Sequence, residues 1–484
     1  MKIPFGGRIL LIGCGSVSRC LQPLLLKHLD MNFAKFTIMD FADLRERIPD
    51  TLAAGVQYVQ AQITPDTLDS TLSQYLGAGD VLIDLGWNID TIALLQWCHD
   101  HEVNYINTAT ELWDPYGSFK HPTELTLYAS HMAIREHVAK WAKPGATAII
   151  EHGANPGLVS HWTKVALKDI TTTMLKTGVS PEKHPALEAA LSHNDYPQLA
   201  MLTGVKVIHI SERDTQVSDK PKATNEFVNT WSIEGFREEG VAPAEMGWGT
   251  HERRLPPGAH VHKMGPGNQI CLAQMGINTW VRSWVPMGEI RGMVVRHGEA
   301  FTISDYLTVW DNNTPIYRPT VHYAYHPADA AIVSLLELKM RNYDLQPKVR
   351  IMNDEITEGK DELGVLLLGH DLNGWWVGSQ LDIHETRQLI GKGQNATTLQ
   401  VAASLLGAIT WMIQNPQQGF NVPDTVPHDA VLAVAKPYLG PCPSLQTDWT
   451  PLKNRFAPYA PFGKPAPHPD DVWQFETFLV DGAG

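Results

Sequence analysis

Residues 7–29 read GRILLIGCGSVSRCLQPLLLKHL, and no other stretch narrows so far what the chain can become. Arg8 to Ile12 is apolar on both faces, as a strand in the middle of a parallel sheet must be. Gly13-x-Gly15-x-x-Ser18 follows, and then an apolar helix. In such a pattern the first glycine makes the tight turn and the second lets a pyrophosphate approach the backbone. A small third residue lets helix and strand pack closely. Ser18 stands where Gly or Ala is usual. The helix start, with Ser16 and Val17 in its first turn, offers free N–H groups and partial positive charge to phosphates. The expectation is a parallel α/β sheet that binds a dinucleotide.

The next segments extend that sheet. KFTIMD is a second strand ending at Asp40, 25 residues after Gly15. An acid there accepts hydrogen bonds from ribose hydroxyls and repels a 2′-phosphate, which favours NAD over NADP. Arg45 and Arg47 lie close enough to soften that preference. GVQYVQAQI reads as strand three. DVLIDLG (80–86) is strand four, opening into Trp87 and Asn88, and VNYINTAT (103–110) is strand five, followed by Glu111. Ligands collect outside the carboxyl ends of such strands, so Leu85, Gly86, Asn88, Thr108, Ala109 and Glu111 are candidates by position. Each is equally readable as an ordinary loop residue. In ATAIIEHGANPGLVSHWTKVAL, Asn155-Pro156-Gly157 breaks a strand and starts a helix, with Pro156 in its first turn. That turn is either a hinge between domains or the place where Asn155 presents its amide to nicotinamide and substrate.

Composition excludes several classes. At 484 residues the chain is long enough for two to four domains. A formal charge of −14 disfavours nucleic acid and anionic membrane as partners and is compatible with a cationic substrate. Five widely spaced cysteines, with no CxxC, read as reduced thiols of a cytoplasmic protein without a thiolate metal site. The N-terminal apolar run is only ILLI, too short for a signal peptide, and no stretch reads as a membrane span.

Residues 1–152 are expected to form the NAD-binding domain and 153–393 a mixed-sheet α+β domain for substrate and dimerisation. Residues 394–484 would supply a returning helix and a Pro-rich tail wrapped over the surface. In QNATTLQVAASLLGAITWMIQNP, Asn395 is a natural N-cap and Leu399, Ala402, Leu405, Leu406, Ile409, Met412 and Ile413 form one apolar stripe. Fifteen tryptophans outnumber 13 phenylalanines, and Trp231, Trp248, Trp280, Trp284, Trp375 and Trp376 fall in the middle segment. VNTWSIEGFREEG sets Trp231 among Glu226, Glu234, Glu238 and Glu239, a composition suited to an alkylammonium ion. If Trp231 begins a helix, Glu238 lies nearly in line with it and Glu239 roughly 80° round.

Three further stretches carry titratable groups. IHISERDTQ ends a strand with Glu212, Arg213 and Asp214, readable as a surface salt-bridge cluster or as an active-site acid. VVRHGEAFTI puts His297 and Glu299 on one face of a strand, a proton-shuttling pair or a structural one. HYAYHP carries His322 and His326, with Pro327 arguing against a helix and hence against a metal site. Lys206 is an alternative Schiff-base residue.

Taken in order, GCGSVSR, GANPGLVS, IHISERDTQ, VNTWSIEGF, EMGWGT, YRPTVHYAYHP, DELGVLLLGH, GSQL and QNATTLQV resemble the bacterial type of homospermidine synthase along nearly the whole chain. The wider fold looks like that of saccharopine and carboxynorspermidine dehydrogenases. The resemblance implies NAD-dependent aminobutyl transfer from putrescine to a second amine, with NAD+ regenerated in the same site, by a homodimer. It implies that Trp231 cups a cationic nitrogen, that Glu239 rather than Glu238 accompanies it, and that Glu212 sits near the reacting nitrogen. Glu111, His297 and Glu299 match positions around the amines, and Asn155 matches the asparagine beside nicotinamide. Asn88 is neutral where an acid is expected in some members. Two rivals remain: a saccharopine- or opine-type reductase joining an amine to an oxo acid, and a non-catalytic dinucleotide sensor.

Overall fold

The computed structural model describes residues 2–114, 121–455, 458 and 467–480. The chain divides into two compact units. One comprises Met1–His121, Ala129–His161 and Ile383–Gly440; the other comprises Pro122–Tyr128, Trp162–Asp382 and Pro441–Gly484. The divisions expected after residues 152 and 393 are drawn more simply than this. The first unit is completed by a return that starts at Ile383, and the tail beyond 441 belongs to the second.

Among the described residues, the first unit holds a seven-stranded sheet in the order Phe420–Asn421, Ala148–Ile149, Asn104–Asn107, Val81–Asp84, Ile9–Ile12, Phe36–Asp40, Gln57–Gln60. Every pair is parallel. The Ile9–Ile12 strand is buried throughout, as its unbroken apolar run requires. Leu10, Ile12, Leu82, Tyr105 and Ile150 build a core with Leu94, Leu95 and Ile134 from covering helices.

The Ala396–Gln414 helix starts as expected. The Asn395 side chain accepts the Thr398 N–H at 2.9 Å, closing a capping box. Its apolar residues do not form one stripe, however. Ala403, Ser404, Gly407 and Ala408 are buried as well as Leu399, Leu405 and Ile409, because the helix packs against Ser16–His28 and His428–Ala435. At 19 residues and a mean hydropathy of 1.4 it reaches the length and apolarity of a membrane span, which corrects the expectation that no stretch would; 83% of it is buried within the protein. A helix apolar all round belongs in a core.

The second unit carries a mixed sheet in the order Ala259–Val261, Gln269–Met275, Pro243–Gly247, Thr320–His326, Val207–Asp214, Lys360–His370, Asn373–Asp382, Ser444–Thr447, with the Trp280–Val285 and Gly288–Met293 hairpin joined to Thr320–His326. Its two central strands, Thr320–His326 and Val207–Asp214, run parallel; their neighbours are antiparallel. Both are covered on both faces, so neither has an exposed side. The tail contributes the edge strand Ser444–Thr447 and the core aromatics Phe475 and Phe478.

Most of the tryptophans serve this packing. Trp376 is fully buried, Trp375 donates to Ser444 Oγ at 2.8 Å, Trp248 meets Phe475 edge-on, and Trp280 lies under the Arg291 guanidinium. His322 is a core residue, bonded through Nδ1 to the Tyr323 carbonyl region at 2.9 Å and stacked obliquely on His209 at 4.2 Å between ring centroids. Burial pushes it down to about 4.

Candidate active site

Two groups of expected residues form, one in each unit. In the first, Gly13 adopts φ +88°, and a Cβ there would lie 2.4 Å from the Leu85 carbonyl oxygen. The glycine turn and the Leu85–Gly86 loop therefore abut backbone to backbone, with the Leu85 N–H bonded to the Ile12 carbonyl at 2.9 Å. At Gly15 an added Cβ would meet nothing within 4 Å. The Ser16–His28 helix begins directly after it without a side-chain cap, so the N–H groups of its first turn, Val17 included, are left for a ligand. Ser18 is buried, and its hydroxyl accepts Gln22 Nε2 at 3.2 Å, which explains how a serine is tolerated at the third position.

Asp40 ends its strand as expected. Its carboxylate accepts the Cys14 N–H at 2.7 Å and the Ala42 N–H at 2.9 Å, so it also braces the glycine turn. Arg45 is drawn to Asp43 at 2.9 Å and over the Tyr58 ring. Asn88 has φ +57°, a backbone state in which asparagine is enriched, and its Oδ1 is buried with no hydrogen-bond partner among the described residues. Glu111 is fixed by its backbone, which exchanges hydrogen bonds with Thr91 at 2.9 and 3.0 Å. Thr108 lies beside Gly153, where a Cβ would come 3.7 Å from the threonine methyl. Ala109 is exposed at the same strand end. Asn155 and Pro156 stand in the loop that Gly153 and Gly157 close; Gly157 has φ +132°, and a Cβ would strike the Gly153 carbonyl. The helix starts at Leu158, so Pro156 precedes its first turn instead of occupying it.

These features fit a dinucleotide: an open cradle at Gly15, uncapped amides behind it and an acid at the second strand end. Gly15→Ala is expected to leave thermal stability unchanged, since φ −72° suits alanine, and to weaken NAD binding. The loss, read by calorimetry, should be about tenfold or more.

In the second unit Trp231, Glu212, Glu239, His297 and Glu299 come together through two tyrosines that sequence reading passed over. Tyr323 and Tyr325 alternate on one face of their strand and stack at 5.1 Å and 10°. Trp231 Nε1–H donates to the Tyr325 hydroxyl at 2.8 Å, and the Tyr323 hydroxyl donates to Glu212. The His297 ring lies 4.5 Å from that of Tyr323. Trp231 does not start a helix. Ser232 caps Ile233–Val241 by accepting the Gly235 N–H, and the indole rests on Phe236 at 5.3 Å.

The acids around Trp231 therefore separate. Glu226 pairs with Arg350 at 2.9 Å, Glu234 is exposed, and Glu238 pairs with Arg296 at 3.1 Å. Glu239 meets His297 Nε2 at 3.2 Å, and with Trp231 outside the helix the wheel spacing that pointed to Glu238 does not apply. His297 and Glu299 do not share a strand face. Glu299 opens the Glu299–Tyr306 helix, and its carboxylate lies 3.3 Å from His297 Nδ1. Burial works against charge on His297, but Glu299 and Glu239 on its two nitrogens outweigh it and hold the imidazole well above its usual range.

Glu212 is 3% exposed, which removes the surface-cluster reading. Burial pushes its carboxyl up to about 8, against the pull of the Tyr323 hydrogen bond and with a further push from Asp214. Asp361, from the neighbouring antiparallel strand, also hydrogen-bonds it. Asp214 is buried too, accepting Thr230 Oγ1 at 2.6 Å and the Gln216 N–H at 2.8 Å. Arg213 alone points outward, to Asp329. Lys206 is exposed, six residues before Glu212 and about 20 Å away along an extended chain, so it takes no part in this group.

Comparison with known proteins agrees with both halves. The saccharopine dehydrogenase NADP binding domain family matches residues 9–149, and the saccharopine dehydrogenase C-terminal domain family matches 153–442. The homospermidine synthase of Blastochloris viridis is 39% identical over 98% of this chain and 97% of its own. That of Mesorhizobium japonicum is 38% identical over 98% and 96%. The crystal structure of the Legionella pneumophila homospermidine synthase in complex with NAD is 37% identical, covers 99% of both chains and superposes with a TM-score of 0.86. The chain belongs to the homospermidine synthase family.

Membership of the homospermidine synthases sets the residues missed in context. Tyr323, Tyr325 and Asp361 lie inside YRPTVHYAYHP and DELGVLLLGH, the very stretches that carry the resemblance. The period-two spacing of the tyrosines was the available signal.

Proposed function

We propose that the chain transfers the aminobutyl group of putrescine to a second putrescine, giving homospermidine and ammonium, with NAD as the bound cofactor. When bound, NAD takes hydride from the carbon beside one donor nitrogen and later returns it. The donor becomes an imine, the second amine adds to that carbon, ammonia leaves, and the new imine is reduced. No net oxidation results.

One observation carries this reading. A buried carboxyl with its pKa near 8, an indole and a doubly paired imidazole are joined by two stacked tyrosines in one unit. A cationic nitrogen on the Trp231 face gains cation–π attraction of about 2 kcal/mol or more once water is excluded. Glu239 supplies its counter-charge, and Glu299 neutralises His297 from the other side. Glu212 exchanges a proton with the reacting nitrogen, and Tyr323 orients it. Aromatic walls lower an amine pKa and carboxylates raise it, so one amine can be kept neutral while another stays charged. On the first unit, Gly13, Gly15, Ser16, Val17, Asp40, Leu85, Gly86, Thr108, Ala109, Asn155 and Pro156 are assigned to the dinucleotide. Asn88 is assigned to the dinucleotide as well, a neutral residue where an acid is expected in some members, and Glu111 is assigned to an amine.

The family name counts against the oxo-acid reductase and the sensor readings, and Arg296, a cation beside His297, is already committed to Glu238. The proposal includes a homodimer and a cytoplasmic location, the location supported by five widely spaced cysteines with no CxxC, and a net charge of −14 that favours polyamines over nucleic acid or anionic membrane.

The test is a reaction containing only the protein, putrescine deuterated at its reacting methylenes and catalytic NAD+. Homospermidine should form without accumulating NADH, and the transferred deuterium should reappear in the triamine. Complete loss of that deuterium to free cofactor, or a requirement for an oxo acid, would defeat the proposal.

A further inference from the structure

A buried polar chain crosses the carboxyl ends of three adjacent strands in the first unit. It begins at Asp84, the last residue of Val81–Asp84, whose Oδ1 accepts the Gly86 N–H at 3.1 Å. The other oxygen, Oδ2, accepts the Tyr105 hydroxyl at 2.9 Å. Tyr105 in turn accepts Asn107 Nδ2 at 2.9 Å, and Asn107 Oδ1 accepts the Glu151 N–H at 2.7 Å. Glu151 closes the run by accepting the Thr110 hydroxyl at 2.7 Å and meeting His131 Nε2 at 2.9 Å. Asp84, Tyr105, Asn107, His131 and Glu151 are all 5% exposed or less.

The direction of the side-chain bonds from Asp84 to Asn107 is fixed from one end. Burial raises the Asp84 carboxyl to about 6, so at neutral pH it is mostly ionised and accepts only. Tyr105 must then donate to it and receive from Asn107. The Asn107 amide can be oriented only one way, with its carbonyl toward Glu151. Glu151 itself has φ +54°, a left-handed state that a non-glycine residue holds only when its surroundings impose it. Apolar side chains would fill this space at lower cost, since a buried polar run stabilises little beyond replacing its own lost hydration. A fully satisfied run does fix one arrangement of the segments it joins.

Those segments are the three strand-end loops. Gly86 follows Asp84 by two residues, Thr108 and Ala109 stand between Asn107 and Thr110, and Asn155 and Pro156 follow Glu151 by four and five. We propose that Asp84, Tyr105, Asn107 and Glu151 are positioning residues for the dinucleotide, holding the loops at 85–86, 108–110 and 151–156 in the arrangement that receives it. The inference rests on the assignment of NAD to these strand ends.

Tyr105→Phe tests it, because the ring is kept and only the central hydroxyl is lost. NAD affinity and thermal stability without NAD are measured for the wild type, Tyr105→Phe, Glu151→Gln and Glu151→Ala, each at a temperature where it is folded. Tyr105→Phe should raise the NAD Kd about tenfold, the effect of one misplaced buried hydrogen bond. At saturating NAD its putrescine KM should not move. Glu151→Gln, which keeps an acceptor for Thr110, should bind NAD more tightly than Glu151→Ala. A Tyr105→Phe Kd within twofold of wild type overturns the proposal, whatever its melting temperature. If that variant does not fold, equal NAD affinity of the two Glu151 variants and the wild type overturns it instead. A wild-type protein that does not bind NAD would refute the cofactor assignment, a separate outcome.

Discussion

Trp231→Ala is expected to lower kcat/KM for putrescine by roughly 30-fold or more while NAD binding is unchanged. The factor is the rate equivalent of about 2 kcal/mol of cation–π attraction in a desolvated site. Trp231 belongs to the second unit, and the residues assigned to NAD belong to the first, so cofactor affinity is an internal control. Comparing Phe and Leu at this position separates charge attraction from packing. Phe keeps a π face and loses the hydrogen bond to Tyr325; Leu loses both. Phe should therefore retain more activity than Leu, and equal activity of the two would remove the cation–π role.

Glu212→Gln should be more damaging still, about 100-fold or more in kcat/KM, the range typical of a lost acid–base group. The sign of the pH effect follows from the pKa of about 8. At pH 7 the free protein holds this carboxyl protonated. A diammonium substrate favours the anion, so binding at pH 7 should release close to one proton, visible as a binding enthalpy that changes with buffer. For the wild type, kcat/KM should rise with pH up to about 8 as Glu212 ionises in the free protein. Glutamine in its place should abolish both the released proton and that rise. A variant that releases the same proton would show that another group titrates, with Asp214 and Asp361 the next to examine.

What could be read from sequence depended on whether neighbours in space were also neighbours in the chain. The Gly13–Gly15 turn, the strand ending at Asp40 and the capping of the Ala396–Gln414 helix are local, and their motifs state their geometry. Trp231 and its acids stood out because one short stretch holds them, and Glu239 was singled out among them by the resemblance alone. The partners of Glu238 and Glu239 are not local: they are Arg296 and His297, more than 50 residues away. Glu212 looked like a surface charge because Glu-Arg-Asp usually is one. Burial came from pairing with Thr320–His326 and Lys360–His370, whose registers no single segment reveals. Glu299 was misplaced on a strand because Gly298 gives no sign of turning into a helix. The resemblance supplied roles for several of these residues but not Tyr323 and Tyr325, the pair that connects them.

The first unit is built from segments separated by more than two hundred residues. Its outermost strand, Phe420–Asn421, pairs with Ala148–Ile149, and the buried Ala396–Gln414 helix leans on Ser16–His28. During translation the nascent dinucleotide half must therefore wait, one flank uncovered, while Trp162–Asp382 emerges from the ribosome. Completion of the two halves is coupled by chain order, and a nascent chain released early would retain the glycine turn while lacking the helix that packs on Ser16–His28.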